Sequence, residues 1–299
     1  MTDGTAPVGV FDSGVGGLSV LRAIRQELPA ESLLYCADSR YAPYGERSDA
    51  FLVDRSLAIG HWLIAQGAKA LVVACNTATT HAIAEMRAAL PVPIVGVEPG
   101  IKPAIQASRS GVAGVLATAA TLRSDKFQHL LAAHTGDCRL VCIAGVGLVE
   151  AIERGDTGSP ALAALLGQYL QPILDAGADT LALGCTHYPF LIPLIRSLVG
   201  ERLDIIDNST PVARQLGRLL EARGLRAPQA VGTGATLTLL STGRTDALDA
   251  LACTALASVT GTAIAPATVQ DIRSALSAAD LPLTASTLHP AHAVPQRLA

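Results

Sequence analysis

The chain has 299 residues, half of them hydrophobic, and sets 22 Lys and Arg against 25 Asp and Glu for a net charge of −3. That hydrophobic content excludes a disordered chain, and the slight acidic surplus argues against a dedicated nucleic-acid binder. The length suits two domains or one large α/β unit. In chain order, Val8–Phe11 reads as a strand ending at Asp12, and Gly17–Leu28 follows with helical apolar spacing. Leu33–Ala37 is a second strand, leading into the polar loop Asp38–Ser48. Asp49 is placed to cap a helix over Ala50–Gln66, and Ala70–Ala74 is a buried strand running into Cys75. Further strands are expected at Pro93–Val97, Val112–Ala117, Leu140–Ile143, Thr180–Gly184, Leu203–Ile206 and Ala235–Leu240. Short apolar runs alternating with helix-length segments predict an α/β fold with largely parallel sheets flanked by helices. Beyond about Pro282 the chain is rich in Pro, Ser, Thr and His without periodicity, and a frayed tail over 284–299 is expected.

The start, Met1-Thr2-Asp3-Gly4-Thr5, lacks the basic and apolar regions of a secretory leader. The run Leu140–Val149 is too short to cross a bilayer. Six cysteines without a leader read as reduced thiols, so the expected setting is cytoplasmic, with no membrane association.

One internal match organises the rest. Gly67-Ala68-Lys69-Ala70-Leu71-Val72-Val73-Ala74-Cys75 lies over Gly177-Ala178-Asp179-Thr180-Leu181-Ala182-Leu183-Gly184-Cys185 at a constant offset of 110. The strand ending at Asp12 has its expected counterpart ending at Thr118, an offset of 106. Two related halves follow, each carrying a cysteine at the C-terminal end of a parallel strand, the edge where ligands bind in open α/β sheets.

Three segments carry chemistry. In Cys75-Asn76-Thr77-Ala78-Thr79 the thiol precedes a helix N-terminus, whose field is expected to lower its pKa, and Asn76 and Thr77 offer polar donors. In Gly184-Cys185-Thr186-His187-Tyr188-Pro189 a histidine stands two residues from the second thiol, close enough to exchange a proton with it. In Asp12-Ser13-Gly14-Val15-Gly16-Gly17 an acidic residue at a strand end meets a glycine loop that is neither a dinucleotide fingerprint nor a P-loop.

Metal is not expected, for want of a C-x2-C pair or an H-E-x-x-H. The three lysines, Lys69, Lys102 and Lys126, give no convincing pyridoxal phosphate site, so no cofactor is expected. Two thiols flanking one ligand can invert a carbon centre, one removing a proton and the other delivering one to the opposite face. A Cys–His hydrolase or a redox pair are the other uses of such residues.

Together with Pro43-Tyr44-Gly45, these segments resemble those of glutamate racemases, cofactor-independent members of the aspartate/glutamate racemase superfamily. The match runs from about Val8 to Arg214 and weakens beyond. The resemblance implies two pseudo-symmetric domains with the active site in the cleft between them. Residues 1–98 with 209–283 would form the first domain and residues 99–208 the second. It implies interconversion of L- and D-glutamate, with D-glutamate supplied to peptidoglycan. Cys75 would act on the D-enantiomer with Asp12 assisting, and Cys185 on the L-enantiomer with His187 assisting. Ser13, Tyr44, Gly45, Asn76, Thr77, Thr118, Thr121 and Thr186 match substrate-binding positions. Glu150, in a stretch that departs from the family pattern, is the candidate for the acidic residue near the second cysteine. The chain also lacks the N-terminal extension that some relatives use to bind a cell-wall precursor activator, so no activation of that type is expected. Racemisation of aspartate or another amino acid stays open, as do a homodimer and the DNA gyrase-binding role reported for some relatives.

Overall fold

The computed structural model describes residues 4–134, 136, 138–228, 235–243, 245–256 and 269–271. The expected tail 284–299, and the remainder of 209–283, lie outside the described residues. Among the described residues there are ten strands: β1 (Val8–Asp12), β2 (Leu33–Ala37), β3 (Ala70–Val73), β4 (Ile94–Gly96), β5 (Val112–Ala117), β6 (Arg139–Ala144), β7 (Thr180–Gly184), β8 (Asp204–Ile206), β9 (Leu237–Ser241) and β10 (Val269–Asp271). They form a six-stranded sheet in the order β10-β9-β2-β1-β3-β4 and a four-stranded sheet in the order β6-β5-β7-β8. Every pairing among them is parallel. Strands β1, β3 and β7 are buried along their whole length, which is why they read as unbroken apolar runs rather than alternating ones. Among the described residues no helix is long and apolar enough to cross a membrane.

The two sheets repeat one plan. β1 pairs with β2 on one side and β3 on the other, as β5 pairs with β6 and β7. Each sheet therefore reverses its winding beside its first strand, and the crevice at such a reversal is where open α/β sheets hold ligands. The repeat extends to single hydrogen bonds. The helix Asp49–Ala65 ends with Gly67 N–H on Ile64 O and Ala68 N–H on Leu63 O. The helix Pro160–Asp175 ends with Gly177 N–H on Leu174 O and Ala178 N–H on Ile173 O. This is the same helix stop in both halves, with the glycine at φ of +90° and +80°.

Two expectations need correction. β1 pairs Phe11 with Val73 while β5 pairs Leu116 with Leu183, so the counterpart of Asp12 is Ala117, and Thr118 corresponds to Ser13. The helix after the polar loop is capped by Ser48, whose hydroxyl accepts the Phe51 N–H at 3.3 Å, and Asp49 is its first residue. The backbone of Ser48 is extended and that of Asp49 already helical, so only Ser48 can turn its oxygen onto the free N–H groups.

The chain passes between the sheets twice, after β4 and after β8, and these crossings touch. The Asn208 side-chain amide donates to Glu98 O, and a Cβ on Gly100 would lie 2.7 Å from Asn208 Oδ1. Glu98 also pairs with Lys126 at 2.6 Å.

Candidate active site

Cys75 follows β3 in extended conformation and caps the helix Asn76–Ala89, its sulfur accepting the Ala78 N–H at 3.4 Å. The thiol faces Ser13 Oγ at 3.7 Å and is only 4% exposed. Burial pushes its pKa well above the usual thiol value, and the charge of Asp12 adds to this. The Ala78 N–H acts in the expected lowering direction and is outweighed, because a thiolate there would lose nearly all its water. Cys75 is thus a protonated thiol at rest.

Asp12, fully buried, closes β1. Its Oδ1 accepts the Ser13 N–H at 2.8 Å, and its Oδ2 accepts the Gly17 N–H at 2.6 Å and the Thr186 hydroxyl at 3.3 Å. Burial raises its pKa; His187 and a hydrogen bond from Cys75 oppose this without reversing it.

The second thiol leaves the end of β7 in the turn Cys185-Thr186-His187. His187 Nδ1 lies 3.7 Å from Cys185 Sγ, and Nε2 lies 2.6 Å from Glu153 Oε1. The same Glu153 oxygen accepts the Val15 N–H at 2.8 Å. Burial alone would lower the histidine pKa, but Cys185 and Glu153 outweigh it and hold the ring well above its ordinary value. An imidazolium here supplies the counter-charge that a Cys185 thiolate requires.

The acidic residue that reaches His187 is therefore Glu153, not Glu150. Both belong to the helix Leu148–Glu153, and Glu150 lines the cleft one turn earlier. Residues three apart share a helix face, and the buried positions Leu148, Val149, Ala151 and Ile152 leave both glutamates available. No sequence signal decides between them.

The glycine loop exists for close approach rather than for phosphate. A Cβ on Gly14 would stand 1.8 Å from Glu153 Oε1, and one on Gly16 only 2.3 Å from His187 Nδ1. Gly16→Ala must displace the imidazole, and kcat is expected to fall roughly tenfold to a hundredfold, since about 1 Å of misplacement costs on that order. Steady-state kinetics checks this, and an unchanged kcat would mean that the ring has room to move.

The thiols line one cleft, of about 590 Å³ including its open mouth, between the C-terminal edges of the two sheets. Ser13, Tyr44, Gly45, Asn76, Thr77, Thr118, Thr186 and His187 line it with them. Asp12 and Thr121 stand behind the lining. Thr121 accepts from Thr118 at 2.9 Å, and the Thr118 hydroxyl lies 3.0 Å from that of Thr77, bridging the two sheets. The buried Asn76 Nδ2 has no hydrogen-bond partner among the described residues. Tyr44 turns its hydroxyl away, donating to Asp38 at 2.6 Å, so only the remainder of that residue borders the cleft. Asp38 also binds Arg55 through Nε at 2.8 Å and Nη2 at 2.6 Å, and accepts the Thr242 hydroxyl at 2.7 Å.

The sequence profile described as Asp/Glu/hydantoin racemase matches residues 8–215. A glutamate racemase of Ralstonia pickettii is 61% identical over 242 residues, covering 81% of this chain and 85% of its own. A glutamate racemase isoform of Bacillus anthracis superposes with a TM-score of 0.76 at 30% identity, over 89% of this chain and 97% of that one. The Escherichia coli glutamate racemase, solved with L-glutamate and the activator UDP-MurNAc-Ala, gives a TM-score of 0.74 at 32% identity, over 84% and 95%. The profile spans more than two thirds of the sequence, and the chain belongs to the Asp/Glu/hydantoin racemase family.

Proposed function

We propose that this protein interconverts L- and D-glutamate by proton transfer at Cα between two cysteines, without a cofactor. The observation that carries the reading is that both thiols border one cleft and each has its own acid–base partner, Asp12 behind Cys75 and His187 beside Cys185. The relatives named glutamate racemase choose the substrate.

From L-glutamate, Cys185, acting as a thiolate beside His187, takes the Cα proton; the C–H electron pair stays on carbon as a carbanion. The protonated Cys75 then delivers its proton to the opposite face, giving D-glutamate. The pair ends with a Cys185 thiol and a Cys75 thiolate, the state that accepts D-glutamate, and Asp12 and His187 are the groups placed to move protons back. In this reading the unpartnered Asn76 amide takes a substrate carboxylate, since a buried donor left empty is costly. Ser13, Thr77, Thr118, Thr186 and the Tyr44–Gly45 segment complete the binding surface, with Thr121 behind. The reaction belongs in a bacterial cytoplasm, feeding D-glutamate to peptidoglycan.

Incubation with L-glutamate in deuterated water, without pyridoxal phosphate, is the test. Optical rotation is expected to decay to zero while the D-enantiomer appears carrying deuterium at Cα. Glutamate that stays optically pure while aspartate inverts would overturn the substrate, and no Cα exchange in either would overturn the chemistry.

A further inference from the structure

Ser19 is buried in the first turn of the helix Leu18–Glu27 and takes no part in proton transfer. Its Oγ lies 2.9 Å from Gly16 O and 3.0 Å from Thr186 O. Both neighbours are acceptors only, so one hydroxyl proton is shared between two carbonyls. The bond to Gly16 is the local habit of a helical serine. The bond to Thr186 is not local: it joins the glycine loop after β1 to the turn that carries Cys185 and His187.

Three more contacts cross the same boundary. The Thr186 hydroxyl reaches Asp12, the Val15 N–H reaches Glu153, and Gly16 lies against the His187 ring. The arrangement is reciprocal. The carboxylate serving Cys75 is held by a donor beside Cys185, and the carboxylate behind His187 is held by a donor from the loop beside Cys75.

We propose that Ser19 is a positioning residue for the racemisation, setting the Cys185–Thr186–His187 turn against the glycine loop so that both thiols address one carbon at a fixed separation. The proposal rests on the two-thiol reading above. Two-sided proton transfer needs both sulfurs within hydrogen-bond reach of the same atom, and small errors in that separation weigh on the chemical step rather than on binding.

The test compares Ser19→Ala, Ser19→Val and Ser19→Thr with the wild type, measuring kcat, KM for glutamate and thermal midpoint. Threonine and valine share a shape and differ by the hydroxyl, which a helical threonine commonly bonds back to the preceding turn. Loss of the hydroxyl in Ala and Val is expected to lower kcat about tenfold or more, with KM within about twofold, while Thr recovers most of the loss. Ser19→Ala at wild-type kcat overturns the proposal, as does a Val variant no worse than Thr, or a loss of activity that follows the thermal midpoint across all three. A wild type that does not racemise glutamate overturns the underlying reading instead.

Discussion

Replacing either cleft thiol by serine, Cys75→Ser or Cys185→Ser, is expected to lower kcat for glutamate racemisation by about 10²–10⁴, the range that a positioned acid or base contributes. A hydroxyl matches the thiol in shape and is a far weaker acid. The enantiomers are equal in energy, so kcat/KM must fall equally in both directions. Exchange at Cα need not. In deuterated water Cys75→Ser keeps the base facing the proton of L-glutamate, and is expected to exchange that enantiomer slowly without inverting it. Cys185→Ser is expected to do the same for D-glutamate. Proton NMR of each pure enantiomer reads this directly. The opposite pattern would exchange the roles of the two thiols, and full racemisation by either variant would end the two-base mechanism.

The largest effect on stability is expected away from the thiols, at Asp38→Ala. Asp38 and Arg55 are 0% and 2% exposed and share two hydrogen bonds, and Asp38 also accepts from Tyr44 and Thr242. Burial would lower the Arg55 pKa, and Asp38 outweighs it and holds the guanidinium charged. Removing the carboxylate takes from the buried Arg55 cation its Asp38 partner and from two hydroxyl donors their acceptor, a loss of about 3–5 kcal/mol. Urea unfolding measures it. Since Tyr44 and Gly45 border the cleft, KM is expected to rise as well. The double variant Asp38→Ala/Arg55→Met removes the buried positive charge as well and is expected to regain part of the loss. A single variant within about 1 kcal/mol of wild type, or a double variant no better than the single, would show that the pair is not a principal support.

The strands were legible because a parallel strand covered on both faces must be apolar throughout; all nine expected ones are present. β10 was not, since Val269–Asp271 has no apolar run to mark it. The repeat could be read from Gly67–Cys75 and Gly177–Cys185, where a helix stop, a buried strand and a thiol coincide. Between β1 and β5 it slipped by one residue, because register is fixed by the hydrogen-bond ladder and side-chain identity there carries little of it. Cys75, Cys185, Asp12 and His187 stood out by residue type at strand ends. Glu153 did not, being one of two glutamates on one helix face. The direction of the Cys75 shift is hidden for a different reason: a sequence displays the helix N-terminus but not the burial that overrides it. The links of Asp38 to Arg55 and Thr242 join residues whose meeting only the assembled sheet reveals.

Burial of the two cleft thiols has an oxidative consequence. Thiols react with peroxides and electrophiles as nucleophiles, and a sulfur shielded from solvent is reached slowly by either. Cys75 and Cys185 are 4% and 6% exposed, whereas Cys253 lies on the outer face of the helix Asp246–Leu256. Oxidants and alkylating reagents are therefore expected to meet Cys253 before the shielded cleft pair.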